Sequence, residues 1–228
     1  MDIKSNITEI RTTIENVCSR CGRDPEEVHL VAVSKTKPAE MINAAAEAGQ
    51  VLFGESYVQD FLDKVDAVTH PVAWHFIGGL QSNKVKYLRG KVAMIHSVDR
   101  LSLAREISKQ WQKIDEPIDI LIQLNLGAEA SKSGTDEEQL ETLARQISEL
   151  PQLRIRGLMS LPPYCDDPEE VRPYFRRLKE LAEMIDRLQI PNVEMHEMSM
   201  GMSHDFKVAI EEGATMIRVG TAIFGARN

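Results

Sequence analysis

Eight short apolar segments, spread along the chain and separated by amphipathic stretches, constrain the fold more than any other feature. Each has the length and composition of a strand in a parallel sheet that is covered on both faces. The segments are His29–Ser34, Val51–Gly54, Ala73–Gly78, Val92–Ser97, Ile118–Asn125, Ile155–Ser160, Val193–Ser199 and Met216–Gly220.

The stretches between these segments have the apolar spacing of helices. Predicted helices cover Ala39–Ala48, Leu101–Trp111, Asp136–Leu150 and Glu169–Leu188, and Ser203 is predicted to cap another that ends at Gly213. A further amphipathic helix precedes the first strand. Eight β–α units in 228 residues predict an α/β protein with a single (β/α)8 TIM-type barrel domain spanning 1–228 and an extra N-terminal helix. An open doubly wound sheet is the alternative, although no G-x-G-x-x-G follows the first strand.

Composition excludes several classes of function. A net charge of −8 and few aromatic residues argue against nucleic acid or an anionic membrane as the main partner. The apolar runs are too short to span a bilayer, and Met1–Arg11 lacks the apolar core of a signal peptide, so we expect a cytoplasmic protein. Cys18 and Cys21 form a C-x-x-C without a second ligand pair, which favours helix packing over a metal site.

Lys35 is the first candidate for chemistry because it follows the first predicted strand directly. In a parallel barrel the carboxyl ends of the strands share one face, where ligands bind. A lysine buried there loses its preference for the ammonium form, and a neutral amine can attack an aldehyde to form a Schiff base. On Lys35 alone, a solvated cation is an equally good interpretation.

Two turns at the other end of the chain suit a phosphate. Ser199–Ser203 combines hydroxyls with a glycine after the seventh strand, and Gly220 and Thr221 follow the eighth. Arg218 lies within a strand, where an unpaired cation is costly, so it should face a ligand or an acid. Since a barrel closes its eighth strand against its first, these groups should lie beside Lys35. An aldehyde that carries a phosphate fits all of them, and pyridoxal 5′-phosphate (PLP) is the obvious cofactor of that kind.

Seven segments, which span nearly the whole chain, resemble the pyridoxal phosphate homeostasis proteins, the YggS/PROSC family. They are Leu30–Lys35, Phe53–Gln59, His75–Lys84, Ser97–Asp99, Gly157–Met159, Ser199–Ser203 and Ile217–Gly225. Glu129, Lys132 and Gly134 also match a pattern of that family. Ser56 departs from it, because the family has asparagine there.

The resemblance implies a barrel like the N-terminal domain of alanine racemase (PLP fold type III), with PLP held as an internal aldimine on Lys35. It further implies that Arg218 meets the pyridine nitrogen. The residues implied around the phosphate are Ser199, Gly201, Ser203, Gly220 and Thr221.

The first functional hypothesis is a PLP-binding protein without evident catalysis, which serves the homeostasis of vitamin B6 and of amino and keto acids. Its motivation is that the chain ends at Asn228, after the eighth unit, without the β domain that supplies a second base in alanine racemases. We therefore expect no catalytic residue, a monomer, and PLP and PLP-dependent apo-enzymes as partners. One alternative is a racemase-like enzyme that uses Tyr57 or His75 as its second base, and another is a Schiff-base sugar-phosphate aldolase.

Overall fold

The computed structural model describes residues 2–127 and 133–226. Eight parallel strands close into a barrel in chain order, each paired with the next and β8 with β1. This confirms the barrel prediction and excludes the open sheet. The strands are β1 His29–Val33, β2 Leu52–Glu55, β3 Ala73–Phe76, β4 Met94–Val98, β5 Ile118–Leu124, β6 Leu153–Ser160, β7 Val193–Met202 and β8 Met216–Val219.

Helices surround the barrel. They are α1 Ile3–Cys21, α2 Ala39–Glu47, α3 Val58–Val65, α4 Leu101–Trp111, α5 Glu137–Ser148, α6 Arg172–Asp186, α7 Phe206–Glu211 and α8 Thr221–Phe224, with 3-10 helices at Pro25–Glu27, Ser82–Tyr87 and Pro168–Val171. The third unit thus has a 3-10 helix where the other units have an α-helix. In the sixth unit α6 begins three residues later than predicted, with Pro173 in its first turn, where the missing N–H costs nothing. No described helix has both the length and the apolar character that a membrane span needs.

The extra N-terminal helix α1 packs on the outside of the barrel. Asp2 caps it by accepting a hydrogen bond from Ser5 N, and Gly22 ends it with a φ of 70°. The buried face includes Ile10, Ile14 and Cys18, whereas Cys21 is exposed. Cys18 therefore acts as a small apolar residue of the core, as the helix-packing interpretation predicted.

The start of α7 differs from the sequence prediction. Strand β7 continues through Gly201 to Met202, which pairs with Arg218 of β8, so the turn begins only at Ser203. Asp205, not Ser203, is the N-cap residue of α7, and its Oδ1 accepts a hydrogen bond from Met202 N at 2.6 Å. The prediction that Ser203 caps this helix was wrong because the strand is longer than its apolar run.

The inside of the barrel is filled in layers. An apolar layer comprises Val31, Met94, Leu121, Met159 and Met216. A polar layer of buried residues comprises His75, His96, Ser199 and Arg218, which are linked by hydrogen bonds. These side chains come from β1, β3, β4, β5, β6, β7 and β8, and they fill the interior as expected for a barrel of eight strands. The polar layer meets a pocket at the carboxyl ends of the strands.

Candidate functional site

A pocket of about 760 Å³ opens at the carboxyl ends of the strands. It contains five of the seven predicted cofactor-binding residues, which come from opposite ends of the chain: Lys35, Ser203, Arg218, Gly220 and Thr221. Pairing of β1 with β8 brings them together, with Ala32 opposite Val219. The structure therefore assembles an amine, a guanidinium and two hydroxyls around one cavity, as the order of the strands predicted.

Arg218 is the buried cation at this pocket, with an exposed fraction of 4%. Its Nη1 donates to Ser199 Oγ at 2.5 Å and its Nη2 to the carbonyl oxygen of Ser160 at 2.8 Å. Within the part of the chain that the structure describes, it forms no ion pair with a carboxylate. Burial lowers the pKa of Arg218 to about 10, against the opposing charge of Asp205, so the guanidinium stays protonated at neutral pH.

A chain of hydrogen bonds leads from Arg218 through the polar layer. Ser199 Oγ lies 2.8 Å from His96 Nδ1, and His96 Nε2 lies 2.9 Å from His75 Nδ1. Because Arg218 can only donate, we assign the Ser199 hydroxyl proton to the bond with His96 Nδ1. The His96 proton then sits on Nε2 and is donated to His75. Every bond in the chain thus points away from Arg218.

Both histidines in this chain are neutral at pH 7. Burial, with a smaller contribution from the charge of His29, lowers the pKa of His75 to about 4. Burial also lowers the pKa of His96 well below its usual range, and the charges of His75 and Arg218 add to the effect. Arg218 is therefore supported by neutral dipoles. His75 is not among the pocket-lining residues and fills the barrel interior.

Two predicted residues, Ser199 and Gly201, do not line the pocket. Ser199 lies in the polar layer below it, against Arg218 and His96. Gly201 has a φ of 86°, and a Cβ at this position would lie 2.5 Å from Ala209 Cβ, so the glycine allows α7 to pack closely on β7. These two residues have structural reasons for their identity that do not involve a phosphate.

Ser203, Gly220 and Thr221 form the hydroxyl-bearing end of the pocket. Ser203 Oγ lies 3.5 Å from Ala222 N, which joins the turn after β7 to the start of α8. A Cβ on Gly220 would lie 3.2 Å from the carbonyl oxygen of Val33, so this turn lies close against β1. The close approach keeps Ser203 and Thr221 beside the end of the strand that precedes Lys35.

Sequence reasoning missed one wall of the pocket. It consists of the segment after β6, from Leu161 to Cys165, whose two prolines and Tyr164 give it an apolar surface. Tyr164 is 74% exposed, and its ring centroid lies 5.5 Å from that of His204. The only sign of this wall in the sequence was its position, because the segment directly follows a strand.

The loop after β5 carries three residues that match the family pattern. Gly134 has a φ of 138°, whereas Glu129 and Lys132 lie outside the described residues.

Comparison with known proteins first defines the class of this barrel. Residues 5–228 match the family model described as alanine racemase, N-terminal domain. The solved structure of an alanine racemase from Clostridium difficile 630 superimposes with a TM-score of 0.77, over 99% of this chain and 57% of that chain. At 12% identity this match shows the fold alone. The chain is a (β/α)8 barrel of the alanine racemase N-terminal type.

Two closer matches narrow the class. The pyridoxal phosphate homeostasis protein of Aquifex aeolicus (strain VF5) is 46% identical over 228 residues, which cover 100% of this chain and 99% of that protein. PipY of Synechococcus elongatus PCC7942, whose structure was solved with PLP bound, is 35% identical with a TM-score of 0.82, over 93% of this chain and 100% of that chain. The chain belongs to the pyridoxal phosphate homeostasis protein family.

Proposed function

We propose that this chain binds PLP covalently through Lys35 and serves PLP and amino-acid homeostasis without catalysing a reaction of its own. The observation that carries the proposal is the single pocket that holds Lys35, Arg218, Ser203 and Thr221 together. The PLP bound in PipY and the name of the Aquifex aeolicus relative support it.

The residues of the pocket fit PLP group by group. The Lys35 amine would bind the aldehyde, and the Ser203 and Thr221 hydroxyls would bind phosphate oxygens. Arg218 is a buried donor without a carboxylate partner among the described residues, which suits an unprotonated pyridine nitrogen as its acceptor. When bound, PLP supplies an electron-withdrawing ring next to the amine that it modifies.

Arg218 also supports the absence of catalysis. A guanidinium that keeps its proton up to about pH 10 would leave the pyridine nitrogen unprotonated, and an unprotonated ring is a weaker electron sink. The racemase-like alternative needs a second base at the pocket. His75 lies in the polar layer instead, and Tyr57 lines the pocket with an exposed fraction of 56%, open to water. Water at the reacting face favours exchange of the cofactor over controlled proton transfer.

Binding is tested by absorption titration of the purified protein with PLP. We expect a saturable band from the Lys35-linked cofactor, lost in Lys35→Ala. Lys37→Ala is the matched control because Lys37 lies two residues away and donates to the carbonyl oxygen of Ala226, so it should keep the band. A wild-type protein that shows no absorption beyond that of free PLP, as expected of a sugar-phosphate aldolase, contradicts the proposal.

The absence of catalysis is tested by hydrogen exchange at the α-carbon of amino acids. PLP-loaded protein in deuterated water should exchange the α-protons of a panel of amino acids no faster than free PLP does. Faster exchange by the wild-type protein that disappears in Lys35→Ala would establish the racemase-like alternative instead.

We propose further that the protein is a monomer that passes PLP to PLP-dependent apo-enzymes. A pocket that is open to solvent suits such a transfer.

A further inference from the structure

A cluster of three charged side chains lies outside the barrel wall, behind the turn that bears Lys35. Glu55 ends β2, and Asp60 and Lys64 lie one helical turn apart on α3. Lys64 Nζ lies 2.9 Å from Glu55 Oε1 and 3.1 Å from Asp60 Oδ2. The side chains of Lys64 and Glu55 are only 6% and 1% exposed. None of the three lines the pocket.

The cluster holds the residues on both sides of Lys35. Ser34 Oγ donates to Glu55 Oε1 at 2.6 Å, and the carbonyl oxygen of Ser34 accepts from Lys64 Nζ at 2.9 Å. On the other side, Thr36 N donates to Asp60 Oδ2 at 2.8 Å. Two of these three hydrogen bonds hold the backbone of the residues that flank the lysine, and the third holds the Ser34 side chain.

Thr36 needs such support. It has a φ of 63° in a turn that Lys37 N closes by donating to the carbonyl oxygen of Ser34 at 3.0 Å. A positive φ at the third residue of a four-residue turn normally requires glycine or asparagine, and for a β-branched residue it is an outlier. Strain of this kind persists only where the surroundings hold it. The hydrogen bond from Thr36 N to Asp60 is a contact that can hold this conformation.

Stability alone does not account for the cluster. Burial raises the pKa of Glu55, against the hydrogen bond from Ser34 and the charge of Lys64, so keeping this carboxylate ionised is costly. Glu55 Oε2 has no hydrogen-bond partner among the residues that the structure describes. Apolar residues of the same volume are often at least as stabilising as a buried ion pair. What apolar residues could not supply is the set of hydrogen bonds that the cluster makes to Ser34 and Thr36.

We propose that Glu55, Asp60 and Lys64 are positioning residues, which hold the Lys35 turn in the strained conformation that directs the amine into the pocket. The inference rests on the proposed binding of PLP at Lys35. The cluster touches the backbone on both sides of Lys35 and acts on the cofactor only through that residue.

The matched variants are Asp60→Ala and Asp60→Asn. Asparagine keeps an acceptor for Thr36 N, whereas alanine removes it. We expect Asp60→Ala to raise the dissociation constant of PLP about ten-fold, the effect of one well-placed hydrogen bond, and to shift the pH midpoint of the Lys35-linked absorption band. Asp60→Asn should restore both quantities most of the way to their wild-type values. If Asp60 only stabilised the fold, the pH midpoint would not shift in Asp60→Ala and return toward the wild-type value in Asp60→Asn.

A double variant tests the buried pair. Glu55→Gln combined with Lys64→Met removes both charges, so no unpaired charge remains buried, and it should weaken PLP binding while the protein still unfolds cooperatively. Lys109→Met, at a lysine that is 69% exposed, is the control and should bind PLP as the wild type does. If Asp60→Ala and the double variant keep wild-type affinity and pH midpoint, the inference is wrong. Failure of the wild-type protein itself to bind PLP would overturn the proposed function, and the two results are distinguishable.

Discussion

At the scale of single residues, the barrel interior combines a permanent cation with two histidines that stay neutral. Arg218, Ser199, His96 and His75 form one directional chain, in which each group donates to the next. A protonated histidine in the same layer would place a second positive charge near Arg218, whose charged form is already disfavoured by burial. Protonation of either histidine should therefore destabilise the folded state.

The pH dependence of stability tests this layer. The folded pKa of His75, about 4, lies below its ordinary value of 6.5, so below pH 6.5 the unfolded chain binds a proton that the folded chain does not. The stabilisation is complete above pH 6.5 and is lost as pH falls toward 4, by roughly 3 kcal/mol for His75, with His96 acting in the same direction. Urea unfolding measured across this range should show a smaller pH dependence in His75→Asn than in the wild type.

The control for that series is His196→Asn, since this side chain is 70% exposed. It should keep the wild-type pH dependence. Equal slopes for His75→Asn and the wild type would mean that His75 is not held neutral in the folded protein.

At the scale of secondary-structure elements, the barrel wall leaves no room for a side chain at one point between β6 and β7. Gly157 has a φ of 156°, and a Cβ built on it would lie 1.8 Å from the carbonyl oxygen of Glu197. Backbone atoms cannot move aside as a flexible side chain can. The register of β6 against β7 shifts between Ile155 and Gly157, so the glycine sits where the pairing is irregular.

Alanine at position 157 should therefore be poorly tolerated. We expect Gly157→Ala to lower the free energy of unfolding by about 3 kcal/mol or more, measured by denaturant unfolding. Gly22→Ala is the matched control because Gly22 has a φ of 70° but nothing within 4 Å of an added Cβ. It should cost only about 1 kcal/mol, the penalty of the left-handed conformation. Similar losses in both variants would show that crowding against Glu197 is not the cause.

The sequence predicted the ends of an element well where apolar periodicity defines them. It predicted them poorly where pairing with a neighbouring strand defines them. Leu101–Trp111 has the predicted ends because its apolar face and its length are local properties. Strand β7 extends beyond its apolar run, because Met202 pairs with Arg218 across a register shift that no local pattern shows. That shift decides which side chains enter the pocket. It explains why Ser203 lines the pocket and Ser199 lies beneath it.

Glu55 illustrates a second limit of sequence reasoning. It precedes Ser56 directly, and successive residues of a strand point to opposite sides. Ser56 lines the pocket, whereas Glu55 points outward to Ser34 and Lys64. Which of two neighbouring residues points inward depends on the register of the strand, and the apolar run around Phe53 does not reveal it. The positioning cluster was therefore not predictable before the barrel was known.

At the scale of the whole molecule, closure of the barrel creates the candidate site. Pairing of β1 with β8 puts a lysine from the first unit beside the arginine, glycine and hydroxyls of the last two. The order of the strands predicted this juxtaposition, and membership of the pyridoxal phosphate homeostasis protein family agrees with it. The proposed function makes one chemical claim, that PLP would be attached to Lys35 and to no other lysine.

Borohydride reduction followed by peptide mapping tests that claim most directly. Protein loaded with PLP is reduced, digested and analysed by mass spectrometry, with Lys35→Ala treated in parallel. We expect one stoichiometric phosphopyridoxyl modification on Lys35, and only trace labelling of lysines in the variant. Equal labelling of Lys35→Ala and wild type, or a stoichiometric label on another lysine, would contradict it.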